Sequence, residues 1–415
     1  MRARELGLLA AVLAVVAMAL ALATRAPEFR GPPPWSWLAL QASGWITASL
    51  VLRWKRAAGD PLLLPLACLL SGLGWVMVWR LDPTLGQRQS LWILVGLLAF
   101  TLTALAVRDY RRLEDYKYLC LVCGVVLQLA VMLFGTEING ARLWFRLGGM
   151  QFQPVEVVKI LMILFLAAFL RRYGRWMRLG LLSREGRLPR RALLLLGLGW
   201  LAAEGVLILQ KDLGMALLFM GIFLTMFYMA TGRTDLVLIA GFLFVLGAVG
   251  GLLAFSHVRV RVHAWLDPFA DAQNTGFQMS QALFSLGWGG LFGTGLGLGE
   301  PNRVPEAATD FVFVALAEEL GFVGAVAILI AFMLLVTRSF GVAMRAPDEF
   351  GTLLAGGLSV LIAWQSLILI AGTVKLIPMT GITLPFVSYG GSSMLASFVI
   401  LALLTRISAR PEEPC

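Results

Sequence analysis

Long runs of apolar residues, separated by short polar or Gly- and Pro-containing segments, fill most of this 415-residue chain. A helix needs about 20 apolar residues to cross a bilayer, and the runs have about this length. No alternation of period two, which would favour a transmembrane barrel, extends along the chain. The pattern therefore predicts an all-α polytopic membrane protein. Twelve spans are expected, at about residues 6–25, 36–52, 61–79, 90–107, 117–134, 154–170, 192–209, 213–231, 235–255, 311–336, 351–371 and 382–405.

Composition and charge agree with this pattern and orient the chain. Only 14% of the residues are charged, against about 25% in soluble domains. The net charge is +10, and most Lys and Arg residues fall on one side of the predicted membrane, which the positive-inside rule makes cytoplasmic. Loop 171–191 and both termini are therefore expected in the cytoplasm, and the long loop 256–310 outside. The apolar start can also be read as a signal peptide cleaved near residues 21–23.

Several kinds of chemistry find no support in the sequence. There is no Walker A motif, and the Gly-rich run 287–300 follows no predicted strand, so no nucleotide is expected. A basic excess in a membrane chain indicates orientation, so nucleic acid is not expected as a partner. Cys120 and Cys123 form a C-x-x-C inside an apolar helix, which favours packing over metal binding or redox chemistry. The two histidines make no metal-binding cluster.

Ionisable residues gather at the predicted outer ends of the spans, where each needs a reason because hydrocarbon disfavours charge. Glu156 and Lys159 are three residues apart on one helix face, which predicts either an ion pair or part of a polar site. Arg142, on an outer loop, is either an interfacial anchor or a ligand-binding residue. Asp212, between two spans, predicts either a helix cap or a site residue.

A second polar group marks the start of the tenth span. Thr309 could serve as N-cap and Asp310 could complement the helix dipole, or both could belong to a site. Glu318 and Glu319 follow roughly 13 Å further along the helix, so at least one is expected to face a cavity. Lys375 ends the eleventh span on the outer side. These positions predict an outward polar cavity, which suits a lipid-linked substrate.

Two aspartates in the outer loop differ in their predicted roles. Asp267 precedes Pro268, and Asp followed by Pro is typical of an N-cap and the first residue of a helix. Asp267 therefore has a complete structural role. Asp271 falls in the first turn of that helix, or just beyond it, with no cap to make. It is either a solvated loop acid or a group that does chemistry.

Five motifs along the chain resemble those of the SEDS family (shape, elongation, division and sporulation), the RodA and FtsW peptidoglycan polymerases. The C-terminal run IPMTGITLPFVSYGGSSMLASF is similar to the family signature. The other four motifs precede it in the family's order: NGARLWFRLG…FQPVEVVK, QKDLGMAL, DPFADAQNTGFQMSQALFSLGWGGLFGTGLG and PEAATDFVFVALAEELGFVG. The resemblance covers about residues 61–408.

The chain departs from the family pattern at five positions around the predicted cavity. The family's usual Ser, Pro, His and Asn are replaced here by Val155, Lys211, Ala308 and Leu369, in that order. Lys375 stands where a Gly is often found, and some branches of the family also have a basic residue there. These changes concern the surroundings of the cavity rather than membership of the family.

The resemblance implies an inverting glycosyltransferase that joins lipid II units into glycan strands at the outer face of the bacterial cytoplasmic membrane. Undecaprenyl pyrophosphate is the leaving group, so a divalent cation, Mg or Mn, is expected to assist, although no ligand cluster indicates where it binds. A class B penicillin-binding protein, which cross-links the product, is the expected partner, and membrane lipids surround the spans. The role in elongation, division or sporulation stays open.

The resemblance also assigns site residues. Asp271 aligns with the family's catalytic aspartate, and its expected role is to take the proton from the acceptor's 4-hydroxyl. Residues expected to bind substrate are Arg142, Glu156, Lys159, Asp212, Gln278, Thr309, Asp310, Glu319, Lys375 and Ser388. Arg142, Lys159 and Lys375 are the candidates for holding phosphates.

The expected organisation is a ten-helix SEDS-like core at 57–408, preceded by two extra transmembrane helices at 1–56 and followed by a short cytoplasmic tail at 409–415. Two other functions stay open, and the first of them, a flippase, would use the same outward cavity. A flippase for a lipid-linked precursor would need the bases but no proton acceptor. A non-catalytic scaffold of a division or elongation complex would need neither.

Overall fold

A computed structural model describes residues 2–25, 29, 33–55, 57, 59–138, 141–147, 150–178 and 190–409. The loop 179–189 and the tail 410–415, both expected in the cytoplasm, lie outside these residues. The α-helices of the described part are α1 Arg2–Ala23, α2 Trp35–Trp54, α3 Leu63–Leu81, α4 Pro83–Ala106, α5 Lys117–Phe134, α6 Val155–Arg178, α7 Arg190–Leu209, α8 Leu213–Thr231, α9 Thr234–Ala254, α10 Ser256–Leu266, α11 Phe277–Gly289, α12 Val312–Met344, α13 Glu349–Thr373 and α14 Gly391–Ser408.

The prediction of an all-α polytopic membrane protein is confirmed. Within the described residues, nine helices are long and apolar enough to cross a membrane. They are Arg4–Ala23, Leu63–Leu81, Pro83–Ala106, Tyr110–Phe134, Leu213–Thr231, Thr234–Leu253, Val312–Met344, Glu349–Thr373 and Gly391–Ser408. The other three predicted spans coincide with α2, α6 and α7, which are helices that fall outside this group of nine.

Three features were not predicted. A small antiparallel sheet of β1 Thr136–Ile138, β2 Ala141–Leu147 and β3 Met150–Phe152 stands between α5 and α6. The long loop 256–310 contains two helices, α10 and α11. The last helix begins at Gly391, nine residues after the predicted start, because the Pro- and Gly-containing segment before it is irregular.

The chain forms two compact units, and the first comprises residues 1–107, 255–338 and 365–415. In this unit α14 packs on α4, where Phe398 lies against Gly96. The two N-terminal helices dock on the same unit: α1 packs on α3, and α2 packs on α4. The Glu5 carboxylate joins α1 to α2 through the Ser49 hydroxyl at 2.7 Å and Arg53 at 3.2 Å. The division into an N-terminal pair and a core stays a prediction.

The second unit comprises residues 108–254 and 339–364. Its central helix is α6, which packs against both α5 and α8. Phe165 and Phe169 of α6 are fully buried. Asp348 accepts hydrogen bonds from the Tyr110 hydroxyl at 2.5 Å and from Arg111 at 3.0 Å, which ties α13 to the turn before α5.

Helix α12 is broken at Gly321, where φ is 72° and ψ is −174°. A Cβ at this position would lie 2.2 Å from the backbone nitrogen of Gly293, so only glycine fits. The break divides α12 into a short segment, 312–320, and a longer one, 322–344. The predicted single span starting at residue 311 is therefore wrong in this detail, and Glu318 and Glu319 end a short helix instead of lying deep within a continuous span.

Candidate active site

The turn that carries the two loop aspartates begins with Asp267. Its carboxylate accepts hydrogen bonds from the backbone N–H groups of Phe269 and Ala270, both at 3.2 Å. The predicted capping bonds of Asp267 are therefore present. The predicted helix is not, because residues 268–276 form turns and α11 begins only at Phe277.

Asp271 closes the second half of the same turn. Its Oδ1 accepts a hydrogen bond from Asn274 Nδ2 at 2.9 Å, and its Oδ2 accepts from the N–H of Thr275 at 3.1 Å and the Thr275 hydroxyl at 2.9 Å. Asp271 caps no helix, as predicted, but its carboxylate is held by the turn instead of being a free loop acid. These donors, the Thr275 N–H first and then the Asn274 side chain, hold the pKa of Asp271 below its usual value. The partly exposed carboxylate is therefore ionised at neutral pH.

The turn that holds Asp271 requires glycine at position 276. A Cβ on Gly276 would lie 1.9 Å from the carbonyl oxygen of Pro268, so the chain can cross itself only at glycine. The Ser280 hydroxyl also donates to this carbonyl, at 3.1 Å. Gln278, predicted to bind substrate, lies exposed on the first turn of α11, close in sequence to Asp271.

The Gly-rich segment 289–300 wraps around the break in α12 and satisfies its backbone. The N–H groups of Thr294 and Gly295 donate to the carbonyls of Glu318 and Glu319, each at 3.0 Å. After the break, the N–H of Phe322 donates to the carbonyl of Gly290 at 2.9 Å. The orphan groups of two helix ends are thus paired by one loop, which explains why the backbone must come close here and why the loop is rich in glycine.

The side chains of Glu318 and Glu319 hold the same loop. Glu318 accepts from the N–H of Glu300 at 2.6 Å and from the Ser285 hydroxyl. Glu319 accepts from the N–H of Gly297 at 2.9 Å and lies 3.6 Å from Arg80 Nε. Both acids are buried, 4% and 1% exposed. The expectation that one of them faces a cavity is wrong, because the loop encloses both carboxylates; substrate binding by Glu319 stays a prediction that this geometry does not favour.

Arg80 was missed by the sequence analysis. It donates to the carbonyls of Gly297 and Gly299, both at 3.1 Å, in addition to its contact with Glu319. An arginine near the end of an apolar span was the available signal. Its distant partners could not be identified from spacing.

Thr309, Asp310 and Ser388 come together at the start of α12. The Ser388 hydroxyl donates to the carbonyl of Thr309 at 2.6 Å and accepts from the N–H of Leu384 at 2.9 Å. Ser388 is buried, so its hydroxyl joins two backbone segments. The predicted N-cap role of Thr309 is wrong, because its hydroxyl donates to Glu306 and α12 begins at Val312.

The carboxylate of Asp310 lies beside a small cavity. The other walls are Leu369, residues 372–373 at the end of α13, and residues 379–382. Asp310 is partly exposed, and burial, with Glu306 nearby, raises its pKa to about 7, against the opposing effect of Arg261. Leu369 stands here at the position where the family usually has Asn, which makes this wall apolar.

Lys375 follows the C-terminal turn of α13 in the left-handed conformation, with φ of 65°. The N–H of Leu376 donates to the carbonyl of Ala371 at 2.8 Å, as in a helix C-cap. This conformation explains why the family often has Gly at this position. The Trp265 indole N–H donates to the Lys375 carbonyl at 3.0 Å, and the partly exposed side chain remains available for a phosphate.

The second unit contains the remaining predicted residues. Lys159 and Glu156 form an ion pair at 2.7 Å, and both side chains are almost completely buried. The ion-pair alternative is therefore confirmed, although Lys159 also lines a small cavity with Trp200 and Phe219. Arg142 lies on the exposed hairpin of β1 and β2, 3.3 Å from Glu137.

Asp212 caps α8, where its carboxylate accepts from the N–H of Met215 at 3.1 Å. The cap alternative is thus present, and the side chain is buried. The preceding Lys211 has φ of 62°, which proline cannot adopt. This turn therefore differs from one that the family's proline would build.

Metal binding is not settled by these residues. Within the described part of the chain, no group of three or more His, Cys, Asp or Glu side chains could hold a metal ion. The carboxylates of Asp310 and Glu306 are close enough to influence each other, but two acids alone do not define a metal site. The divalent cation stays a prediction.

Comparisons with known proteins agree with the motifs. The family model FTSW_RODA_SPOVE, described as Cell cycle protein, matches residues 62–413. The chain is 42% identical to "Peptidoglycan glycosyltransferase RodA" of Mycobacterium tuberculosis over 97% of this chain and 89% of that protein. Because this match covers almost the whole chain, it includes the two N-terminal helices that lie outside the family model.

Solved structures are similar over 86% of this chain. One is a chain of a structure described as "Structural coordination of polymerization and crosslinking by a peptidoglycan synthase complex". Its TM-score is 0.71, it is 29% identical to this chain, and the match covers 99% of its own length. Another is the Rod shape determining protein RodA of Thermus thermophilus, which has a TM-score of 0.63 and is 30% identical to this chain. The match covers 99% of that protein's chain. The prediction of a peptidoglycan glycosyltransferase is confirmed by these relatives. The chain therefore belongs to the FtsW, RodA and SpoVE family of cell cycle proteins, which is the SEDS family predicted from its motifs.

Proposed function

We propose that this glycosyltransferase polymerises lipid II at the outer face of the cytoplasmic membrane, with Asp271 as the proton acceptor. The observation that supports this role is the turn 267–276, which holds an ionised, partly exposed carboxylate in place by three hydrogen bonds. A carboxylate oxygen has more than one lone pair, so Oδ1, with one donor, can still accept a proton from a substrate.

The transfer forms one bond and breaks one. The 4-hydroxyl oxygen of the acceptor attacks the anomeric carbon of the donor from the face opposite the diphosphate, and its proton passes to Asp271. The bond between the anomeric carbon and the diphosphate oxygen breaks, and undecaprenyl pyrophosphate leaves with the electron pair. The configuration at the anomeric carbon is inverted.

Cations would stabilise the leaving diphosphate. Lys375 and Arg142 are the stronger candidates, because both have accessible side chains. Lys159 is a weaker candidate, since its ammonium already pairs with Glu156. A bound divalent cation, Mg or Mn, would add to this charge neutralisation.

The partner proposed for this chain is a class B penicillin-binding protein, a transpeptidase that cross-links the glycan product. Its support is the similarity to a chain of a peptidoglycan synthase complex. Both termini and the loop 171–191 are proposed to lie in the cytoplasm, on the basis of the basic residues. In a cysteine-free background, an impermeant thiol reagent should label single cysteines in the loop 256–310 but not in the loop 171–191, and labelling at position 180 would overturn this orientation.

An assay of the purified chain incubated with lipid II distinguishes a polymerase from a flippase and from a scaffold. The proposal predicts glycan polymer on a gel, with loss of polymer in Asp271→Asn. Scrambling of lipid II across vesicles without polymer would support a flippase instead. Neither activity, in protein that binds its transpeptidase partner, would support a scaffold.

A further inference from the structure

The acids around the outer loop of the first unit differ in what their carboxylates contact. Asp267, Asp271, Glu318 and Glu319 each accept at least one hydrogen bond from the backbone. Asp310 is different: within the described residues its carboxylate accepts no hydrogen bond and forms no ion pair. A partly buried acid without a structural bond is destabilising unless it serves another purpose.

The space beside the Asp310 carboxylate is large enough for one small polar group. The cavity beside the carboxylate has a volume of about 10 Å³, which suits one water molecule or one hydroxyl group. The ideal Cβ position at Gly381 lies 3.7 Å from Asp310 Oδ2, so a larger side chain there would narrow the space. An ionised carboxylate in such a cavity can only accept hydrogen bonds, and a sugar hydroxyl is a matching donor.

Two charged residues of opposite sign act on this carboxylate. Glu306, four residues earlier, disfavours its ionisation, and Arg261 of α10 favours it. The residues that line the cavity are otherwise uncharged. With burial as the largest effect, the pKa of Asp310 is raised to about 7, so its charge changes near neutral pH.

We propose that Asp310 is a second substrate-binding carboxylate of the transfer site, which holds a sugar hydroxyl of the lipid-linked substrate only when it is ionised. This inference rests on lipid II being the substrate, as proposed above. Asp271 then supplies a carboxylate that is charged at all neutral pH values, and Asp310 supplies one that is switched by pH. Substrate affinity is therefore lost as the pH falls through the titration of Asp310.

The test measures lipid II binding and polymerisation by the purified full-length chain between pH 5.5 and 8.5. In the wild type, affinity and kcat/KM should rise together with a midpoint near pH 7. Asp310→Asn carries no charge at any pH. Its affinity should be about tenfold lower than wild type at pH 8 and should not change with pH, because one good hydrogen bond to a charged group is lost.

Two neighbouring substitutions should move the midpoint in opposite directions. Glu306→Gln removes a repelling charge, so the midpoint should shift to lower pH. Arg261→Gln removes an attracting charge, so it should shift to higher pH. Arg303→Gln is the matched control, because Arg303 pairs with Glu300 on the exposed surface and should leave the midpoint unchanged. A purely structural role for Asp310 would not produce opposite shifts.

Folding provides an independent check. Because burial raises the pKa of Asp310 from 3.8 to about 7, ionising it destabilises the folded chain. Asp310→Asn should therefore gain thermal stability relative to wild type as the pH rises from about 4 to 7, with a constant difference above pH 7.

The outcomes separate this inference from the proposed function. Binding that titrates near pH 7 in wild type but not in Asp310→Asn supports the role of Asp310, even if no polymer forms and polymerisation itself is contradicted. Binding that keeps the same pH midpoint in Asp310→Asn, absence of lipid II binding, or shifts of the same sign in Glu306→Gln and Arg261→Gln would each overturn it.

Discussion

The two ends of the short helical segment 312–320 carry acids in contrasting environments. At the N-terminal end, Asp310 is partly exposed beside a cavity, and its carboxylate accepts no hydrogen bond within the described residues. At the C-terminal end, Glu318 and Glu319 are buried and bind the Gly-rich loop, with Arg80 beside Glu319. The same kind of side chain therefore holds the fold at one end and is free for a ligand at the other.

Asp271 falls between these two cases. Its hydrogen bonds hold the loop turn, as Glu318 and Glu319 hold the Gly-rich loop, but its carboxylate remains partly exposed, as at Asp310. The two fully buried acids hold the Gly-rich loop, whereas Asp271 and Asp310 keep a partly exposed carboxylate; Asp267, which is exposed and holds the turn, shows that exposure alone does not make an acid chemical. Substitutions can test this distinction, because loss of a structural acid lowers stability and loss of a chemical acid lowers turnover.

Asp271→Asn is expected to have the largest effect, a loss of roughly 10²- to 10⁴-fold in polymerisation rate, which is typical of removing a general base. Asn keeps the shape of Asp and one acceptor oxygen, so most of the turn should survive. Expression, thermal stability and lipid II binding should stay close to wild type. Near-normal polymer formation on a gel would remove Asp271 from the mechanism.

Glu319→Gln or Arg80→Met should destabilise the chain by about 3–5 kcal/mol, because each leaves a buried charge without its partner. Thermal unfolding in detergent measures this effect. Arg303→Gln is the control: its exposed pair with Glu300 should contribute about 0–1 kcal/mol. Equal effects of the buried and the exposed substitutions would show that the acids of the Gly-rich loop are not structural.

Asp267→Ala should cost on the order of 1 kcal/mol by loss of the capping bonds to Phe269 and Ala270. Asp267→Asn should be almost neutral, since Asn caps about as well as Asp. Both variants should polymerise lipid II once the amount of folded protein is equalised. An inactive but folded Asp267→Asn would mean that the base has been assigned to the wrong aspartate.

The membrane fold follows from local features of the sequence. Apolar runs of helical length predicted α1, α3 and the other long helices, but not α10 and α11, because the bilayer requires helices wherever the chain crosses. The i, i+3 spacing likewise predicted the Glu156–Lys159 pair, since both residues lie on the same helix face. Asp212 as a cap is a third local feature of this kind.

Features that depend on distant residues could not be predicted in the same way. The turn at Asp271 is a local exception: its bonds to Asn274 and Thr275 were missed because a helix was expected from Pro268 onward. The break at Gly321 was missed because a glycine within an apolar run is not by itself a helix end, and the loop that replaces its hydrogen bonds lies about 30 residues earlier. The roles of Arg80 and Asp310 likewise depend on segments far apart in sequence.

The rate of lipid II polymerisation per folded molecule, compared between Asp271→Asn and Glu319→Gln, tests most directly the claim that the carboxylate of Asp271 does chemistry and the buried carboxylate of Glu319 holds the fold. The expected result is a loss of roughly 10²- to 10⁴-fold for Asp271→Asn, with a rate close to wild type for the Glu319→Gln molecules that remain folded. A near-wild-type rate for Asp271→Asn, or folded but inactive Glu319→Gln, would contradict the claim.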